Sequence, residues 1–200
     1  MNTQDAIRAR RAVKHYDPNF KIPDAEIEEL KDLVRQTPSS FNIQNWRIVS
    51  IEDPELRSKV RAASWDQAQV TDASHVFLLC GDLLAWSKDP ARYWETAPQE
   101  AKDFLVPAIG NFYEGREWQQ RDEVMRSVGL AGQTLMLAAK SMGYDSCPMI
   151  GFDADAIAKL INLPNNYVIG MMVAVGKATE PARPKGGYIS DEEVFFTDTF

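Results

Sequence analysis

Apolar residues recur at helical spacing in several stretches of this chain of 200 residues. Between Asp24 and Gln36, Ile27, Leu30, Leu33 and Val34 share one face, and Pro38 ends the pattern. From Arg121 to Met142, Val124, Val128, Leu135 and Met142 mark a longer helix with Gly143 as its stop. Asp153 caps a third helix that runs through Ile161. Residues 3–11 predict a short helix capped by Asn2 or Thr3, and Asp53-Pro54 opens another with a cap and a first-turn proline. His75–Cys80 and Tyr167–Val175 are apolar throughout, as strands buried on both faces are. Trp46–Ile51 predicts a shorter strand. The pattern loosens between Leu83 and Trp118, where Trp86, Tyr93, Trp94, Phe104, Phe112, Tyr113 and Trp118 lie among prolines and mixed charge. The tail from Gly176 to Phe200 contains Pro181, Pro184 and Gly186-Gly187 and predicts no long regular element.

Helices around a few interior strands make an α+β architecture. No repeat or break in composition divides the chain, so residues 1–200 are expected to form a single domain, with 83–120 as a cover over a substrate pocket. Gly129, Ala131, Gly132, Ala138 and Ala139 on the long helix would let another helix approach closely. With the extended tail they suggest a homodimer whose chain ends cross over.

Composition narrows the function. The hydrophobic fraction of 44% suffices for a real core, and a net charge of −7 with pI near 4.9 argues against a nucleic-acid surface. Cys80 and Cys147 form neither a disulfide framework nor a CxxC pair, so a reduced, cytoplasmic setting is expected. Met1–Arg11 lacks the apolar segment of a secretory signal, and the uncharged stretch Ser127–Ala139 is too short to cross a bilayer, so no membrane partner is expected. No G-x-G-x-x-G follows a strand, no Walker sequence is present, and no nucleophile elbow supports a Ser-His-Asp site. His15 and His75 are far apart and have no usual spacing to the cysteines, so no metal site is predicted.

Four segments carry candidate chemistry. Thr37-Pro38-Ser39-Ser40-Phe41-Asn42-Ile43-Gln44-Asn45-Trp46 crowds three hydroxyls and three side-chain amides behind a helix, more directed donors and acceptors than a plain connection needs. In Arg10-Arg11-Ala12-Val13-Lys14, Arg10 and Lys14 share a side whether the segment is extended or helical. Such a pair suits a phosphate or an anionic ring edge, and equally a basic helix end balancing the macrodipole. Arg183-Pro184-Lys185 places two more cations on one side of a proline; alone it also fits solvated surface. Three or four cations aimed at one dianion would suit the phosphate of a mononucleotide cofactor. Pro148-Met149-Ile150-Gly151, between a helix stop and the Asp153 cap, could offer backbone N–H groups to a flat heterocycle, or be an ordinary loop. Gln67 and Gln69 could read a pyrimidine edge or decorate a helix.

In this order the four segments resemble the flavin-dependent nitroreductase family, from Arg10 to Lys185. The resemblance implies an α+β homodimer with a central, mainly antiparallel sheet flanked by helices and extended by the partner's C-terminal strand. It implies FMN at the dimer interface, reduced by NADH or NADPH and reoxidised by a nitroaromatic, a quinone or a similar small electron acceptor in a ping-pong cycle. Carried over by position, Arg10 binds the FMN phosphate with Arg183 and Lys185, and Arg11 and Ala12 belong to the same segment. Lys14 meets the ribityl chain and the N1/O2 edge and supports the reduced ring. Pro38, Ser39, Ser40 and Asn42 match the motif that reaches FMN from the partner. Pro148, Met149, Ile150 and Gly151 lie along the isoalloxazine, with the Ile150 N–H near N5. Gln67 and Gln69 contact the pyrimidine end. No side chain is assigned as a catalytic acid or base. Ala12 stands where a serine is common in the family, so one hydroxyl contact is missing, and Ile150 stands where several relatives carry glutamate, at a backbone contact that survives the change. Gln69 replaces a lysine of some relatives, and with one fewer cation near N1/O2 the reduced flavin is expected to be less stabilised than in those relatives. The same fold could instead carry enone reduction, dehalogenation or flavin breakdown, or serve as a non-catalytic flavin carrier or redox sensor.

Overall fold

The computed structural model describes residues 1–200. Its centre is a pair of long strands, β2 (His75–Asp82) and β4 (Tyr167–Gly176), flanked by the shorter β1 (Trp46–Ser50) and β3 (Asp145–Met149) in the order β1-β2-β4-β3, all antiparallel. Successive side chains of a strand point to opposite faces, and both faces of this sheet are covered. Phe77, Leu79, Val173 and Val175 pack against Leu30 and Val34 of α2 (Asp24–Arg35) and Val124, Val128 and Leu135 of α6 (Glu117–Ser141). On the other side, Val76, Leu78, Cys80, Met172 and Ala174 meet Val60 of α3 (Pro54–Ala63), Val70 of α4 (Gln69–Asp72) and Ile157 of α7 (Ala154–Leu160). Burial on both faces explains why β2 and β4 are apolar without alternation.

Capping follows the sequence closely. Asn2 accepts the Asp5 N–H at 2.9 Å to start α1 (Thr3–Ala9), Asp53 accepts that of Leu56 at 2.7 Å, and Asp153 that of Ala156 at 2.9 Å. Three expectations are corrected. α1 stops at Ala9, leaving Arg10 extended (φ −60°, ψ 129°). The long helix begins at Glu117, ahead of Arg121. The loosened stretch contains a regular helix, α5 (Gln99–Tyr113), which buries only Ile109 and Tyr113 and carries Pro107 inside, so its apolar periodicity is faint. Most aromatics here fill a small third core: Trp86, Tyr93 and Trp94 gather around Ile43, Ile109 and Tyr113. Phe104 and Trp118 remain exposed.

α6 lies close to the sheet because glycines make room. A Cβ on Gly81 would overlap the branched Val124 side chain, and one on Gly170 would sit 2.5 Å from Cγ1 of Val128. Gly170 is also the residue left unpaired by a bulge at Leu79/Cys80. Gly132 faces Met171 of the sheet rather than another helix. No helix is long and apolar enough to cross a membrane.

Gly81→Ala should cost about 1–3 kcal/mol, because Val124 has a stiff branched side chain that cannot move aside. In Gly132→Ala the new methyl meets the flexible thioether of Met171 at 2.5 Å. Its strain is offset by roughly 1 kcal/mol of helix propensity, so the net change should be small. Urea denaturation of both variants checks this; equal losses would contradict the packing account.

Candidate functional site

Residues 12–17 run as an extended ribbon that joins distant parts of the chain. The Val13 N–H donates to the Ser146 carbonyl (3.1 Å), placing the ribbon beside β3. Asp17 N–H donates to Lys177 O (3.0 Å) and Thr179 N–H to His15 O (3.1 Å), fixing the start of the tail against the same ribbon. Val13 and Tyr16 point inward and are buried. Alternation then leaves Ala12 and Lys14 facing outward, both exposed.

The result is a cleft of about 560 Å³ lined by Arg10, Arg11, Ala12, Lys14, His15 and Pro148 on one side and residues 180–185 on the other. Five of its side chains, Arg10, Arg11, Lys14, Arg183 and Lys185, are cations, and Glu180 is its one carboxylate. In a chain of net charge −7 this is a strong local reversal of sign. The cations differ in availability. The Arg11 guanidinium donates to the carbonyls of Arg8 (2.6 Å) and Arg10 (2.8 Å), closing the end of α1. Arg10, Arg183 and Lys185 enter no ion pair within the chain.

Lys14 leads from the cleft into an amide network. Its ammonium donates to Gln67 Oε1 (3.4 Å), Gln69 Nε2 donates to the same oxygen (3.0 Å), and Gln67 Nε2 donates to the Gly151 carbonyl (2.9 Å). Gln67 and Gln69 thus share one site, with Gln69 buried. The segment holding them is tied down by Arg57, a buried guanidinium that donates to the carbonyls of Val70, Ala73 and Ser74 (3.1, 2.6 and 3.2 Å).

Pro148 and Met149 belong to β3, where a loop was expected; Pro148 pairs with Val173. A proline is tolerated there because β3 is an outer strand of the sheet. Ile150 and Gly151 follow as the loop proper, and neither N–H has a backbone acceptor. Two free donors beside a cation-lined cleft fit a flat, acceptor-rich heterocycle carrying a phosphate ester. The cleft is large enough for such a group, and a guanidinium fork suits phosphate oxygens. No group of three or more His, Cys, Asp or Glu side chains is placed to hold a metal ion.

Pro38, Ser39, Ser40 and Asn42 lie elsewhere. They precede β1, at the opposite edge of the sheet from β3, some three strand spacings or roughly 14 Å across. Their loop is held in an uncommon conformation, with φ of 50°, 55° and 42° at Phe41, Asn42 and Gln44. Ser39 Oγ accepts the Gln44 N–H (2.8 Å), the Ser40 N–H donates to Glu123 (3.3 Å), and Asn42 Nδ2 donates to Tyr93 O (2.9 Å). Positive φ on side-chain-bearing residues persists only where surrounding contacts over-determine it.

Sequence reasoning missed His15 and Glu180, which face each other across the cleft at 3.9 Å. It also missed Trp65, an exposed residue with φ 54° next to Gly151. Only the long-range pairing of 15–17 with 177–179 reveals the first two.

The family model "Nitroreductase family" matches residues 7–177. Protein DrgA of Synechocystis sp. is 54% identical over 185 residues, covering 92% of this chain and 88% of that protein. YodC of Bacillus subtilis, named as an NAD(P)H nitroreductase, is 34% identical over 186 residues, covering 90% of this chain and 92% of its own. Among solved structures, a protein of Exiguobacterium sibiricum described as a nitroreductase in complex with FMN superposes with a TM-score of 0.92 at 29% identity, over 99% of this chain and 98% of that one.

Beneath the cleft, burial pushes the Cys147 thiol up, only partly opposed by the nearby Lys14 ammonium, and burial alone pushes Cys80 up to about 12. Neither should react with Ellman's reagent at pH 8 until urea is added. An unfolded thiol loses its proton near 9.0 while Cys80 keeps its proton to about 12, so the unfolded state binds fewer protons across that window. Stability should therefore fall as pH rises from 9 toward 12 and recover in Cys80→Ala relative to its own neutral value. Rapid native labelling would contradict the burial.

Proposed function

The chain belongs to the nitroreductase family, and on that footing we propose that it is an FMN-dependent oxidoreductase that takes electrons from NADH or NADPH and reduces nitroaromatics, quinones or similar small electrophiles. The observation that carries this reading is the cleft itself: unpaired cations from both ends of the chain meet two free backbone donors at the edge of β3. Arg10, Arg183 and Lys185 would hold the phosphate, and Lys14 the N1/O2 edge of the ring. Gln67 and Gln69 would meet its pyrimidine end, and the Ile150 and Gly151 amides would donate near N5. When bound, FMN supplies two-electron exchange between the nicotinamide and the acceptor. Lys14 then favours negative charge at the ring edge. Gln69, where some relatives have lysine, adds a dipole but no charge, and so a lower reduction potential is expected here. Donor and acceptor would use the same open side of the cleft in turn.

The reading includes a homodimer in a cytoplasmic setting. β1 is an outer strand of its sheet. Beside it runs a groove of about 310 Å³ with Val34, Trp46, Ile48 and Phe77 as its apolar floor and Lys31, Arg35 and Arg47 at its rim. The tail offers the complement: exposed Ile189, Phe195 and Phe196 among Asp191, Glu192, Glu193 and Asp198. Lying along the partner's groove, it would remove unpaired strand edge and apolar surface together. The same exchange would bring Ser39, Ser40 and Asn42 to the partner's cleft.

Wild-type protein should bind FMN well over tenfold more tightly than riboflavin, since each charge-assisted bond to the phosphate contributes about 1.5–3 kcal/mol. Arg10→Ala and Arg183→Ala should erase most of that preference while leaving riboflavin affinity unchanged, as titrated by flavin fluorescence. Equal affinity of the wild type for both flavins would remove the phosphate site from the account. Lys14→Met should weaken FMN binding and slow its reduction by NAD(P)H in stopped flow; a normal rate would refute the role given to Lys14.

Truncation after Gly186 should convert dimer to monomer in light scattering. A truncated chain that stays dimeric would rule out tail exchange as the basis of assembly.

A further inference from the structure

Trp65 is unexplained by packing. Its side chain belongs to an exposed residue (72%), and its backbone sits in the left-handed region (φ 54°), followed by Asp66 with φ 56°. A bulky residue is seldom found there, and two in succession need restraint. That restraint is present. Arg61 Nε donates to Asp66 Oδ1 (2.7 Å) and Arg61 Nη1 to Thr71 Oγ1 (2.8 Å). The Asp66 N–H donates to Arg61 O (3.1 Å) and the Gln67 N–H to Ser64 O (3.2 Å), while the Asp153 N–H is tied to Ala63 O (2.8 Å). The turn is therefore fixed relative to the loop after β3.

It holds the indole against Gly151, where a Cβ would come within 2.6 Å of Trp65 Cζ3. Gln67 of the same turn bonds the Gly151 carbonyl and takes the Lys14 ammonium. Ile150, 78% exposed, adjoins the same glycine. Trp65 and Ile150 thus flank the loop that carries the two free N–H groups, and Gln67 links that loop to Lys14 of the cationic cleft. We infer that Trp65 is a specificity-determining residue: its electron-rich face is the wall on which a flat, electron-poor acceptor ring stacks, which selects quinones and nitroarenes over non-planar acceptors of equal oxidising power. This rests on the reductase reading above.

The test compares menadione with ferricyanide. NADH and one proton convert menadione to its hydroquinone; NADH with two ferricyanide ions gives two ferrocyanide ions and one proton. In Trp65→Leu the ratio of kcat/KM for menadione over ferricyanide should fall about three- to tenfold, and Trp65→Phe should keep most of it. Equilibrium dialysis of menadione against the oxidised protein should show the same loss and the same rescue without any turnover. An unchanged ratio and unchanged dialysis affinity in Trp65→Leu would overturn the assignment. Failure of both nicotinamide donors to reduce the wild type would instead overturn the reductase reading, while dialysis would still decide the role of Trp65.

Discussion

Everything at the cleft depends on the ribbon of residues 12–17 being held between β3 and the start of the tail. The bonds from Val13 to Ser146, from Asp17 to Lys177 and from Thr179 to His15 join segments more than a hundred residues apart. Val13 and Tyr16 anchor the ribbon in the core, and with Val13 inside, its neighbours Ala12 and Lys14 point outward. Without that ladder, Arg10 and Lys14 would be a solvated basic stretch, and Arg183 and Lys185 a separate one. With it they face a common space, and mutual repulsion among them favours a bound anion.

Strain is concentrated where function is proposed. Phe41, Asn42 and Gln44 form one positive-φ cluster, and Trp65 and Asp66 another. The first is held by Glu123, Tyr93 and the small aromatic core, the second by Arg61 and the end of α3. In each case a rigid scaffold presents a short stretch of chain that local propensity would not choose. The two clusters lie apart: the second is tied through Gln67 to Lys14 of the cleft, and the first stands at the far edge of the sheet, where the proposed dimer would bring it into use.

What the sequence revealed follows from how local each signal is. Asn2, Asp53 and Asp153 cap their helices through bonds spanning three residues, and all three were legible. So were β2 and β4, because burial on both faces leaves continuous apolar runs. β3 was not: Asp-Ser-Cys-Pro-Met is short and contains a proline, so its strand character comes from tertiary pairing, with β4 on one side and with the ribbon at Ser146 on the other. α5 was hidden by its shallow burial and by Pro107. The basic pairs were visible as residues, and the resemblance supplied their grouping. The geometry that joins them is carried by backbone bonds that no composition or periodicity encodes. Trp65 left no local signal either, since an exposed tryptophan in a polar turn looks like any surface residue until Gly151 is found beneath it.

The central claim is that this cleft holds FMN and that nicotinamide nucleotides reduce it. The most direct measurement is the visible spectrum of the purified protein without air, recorded before and after NADH or NADPH is added. The account predicts a yellow flavin spectrum that bleaches with at least one donor and returns when menadione is supplied. A protein that is colourless and cannot be reconstituted with FMN, or whose flavin stays oxidised with both donors, would contradict it.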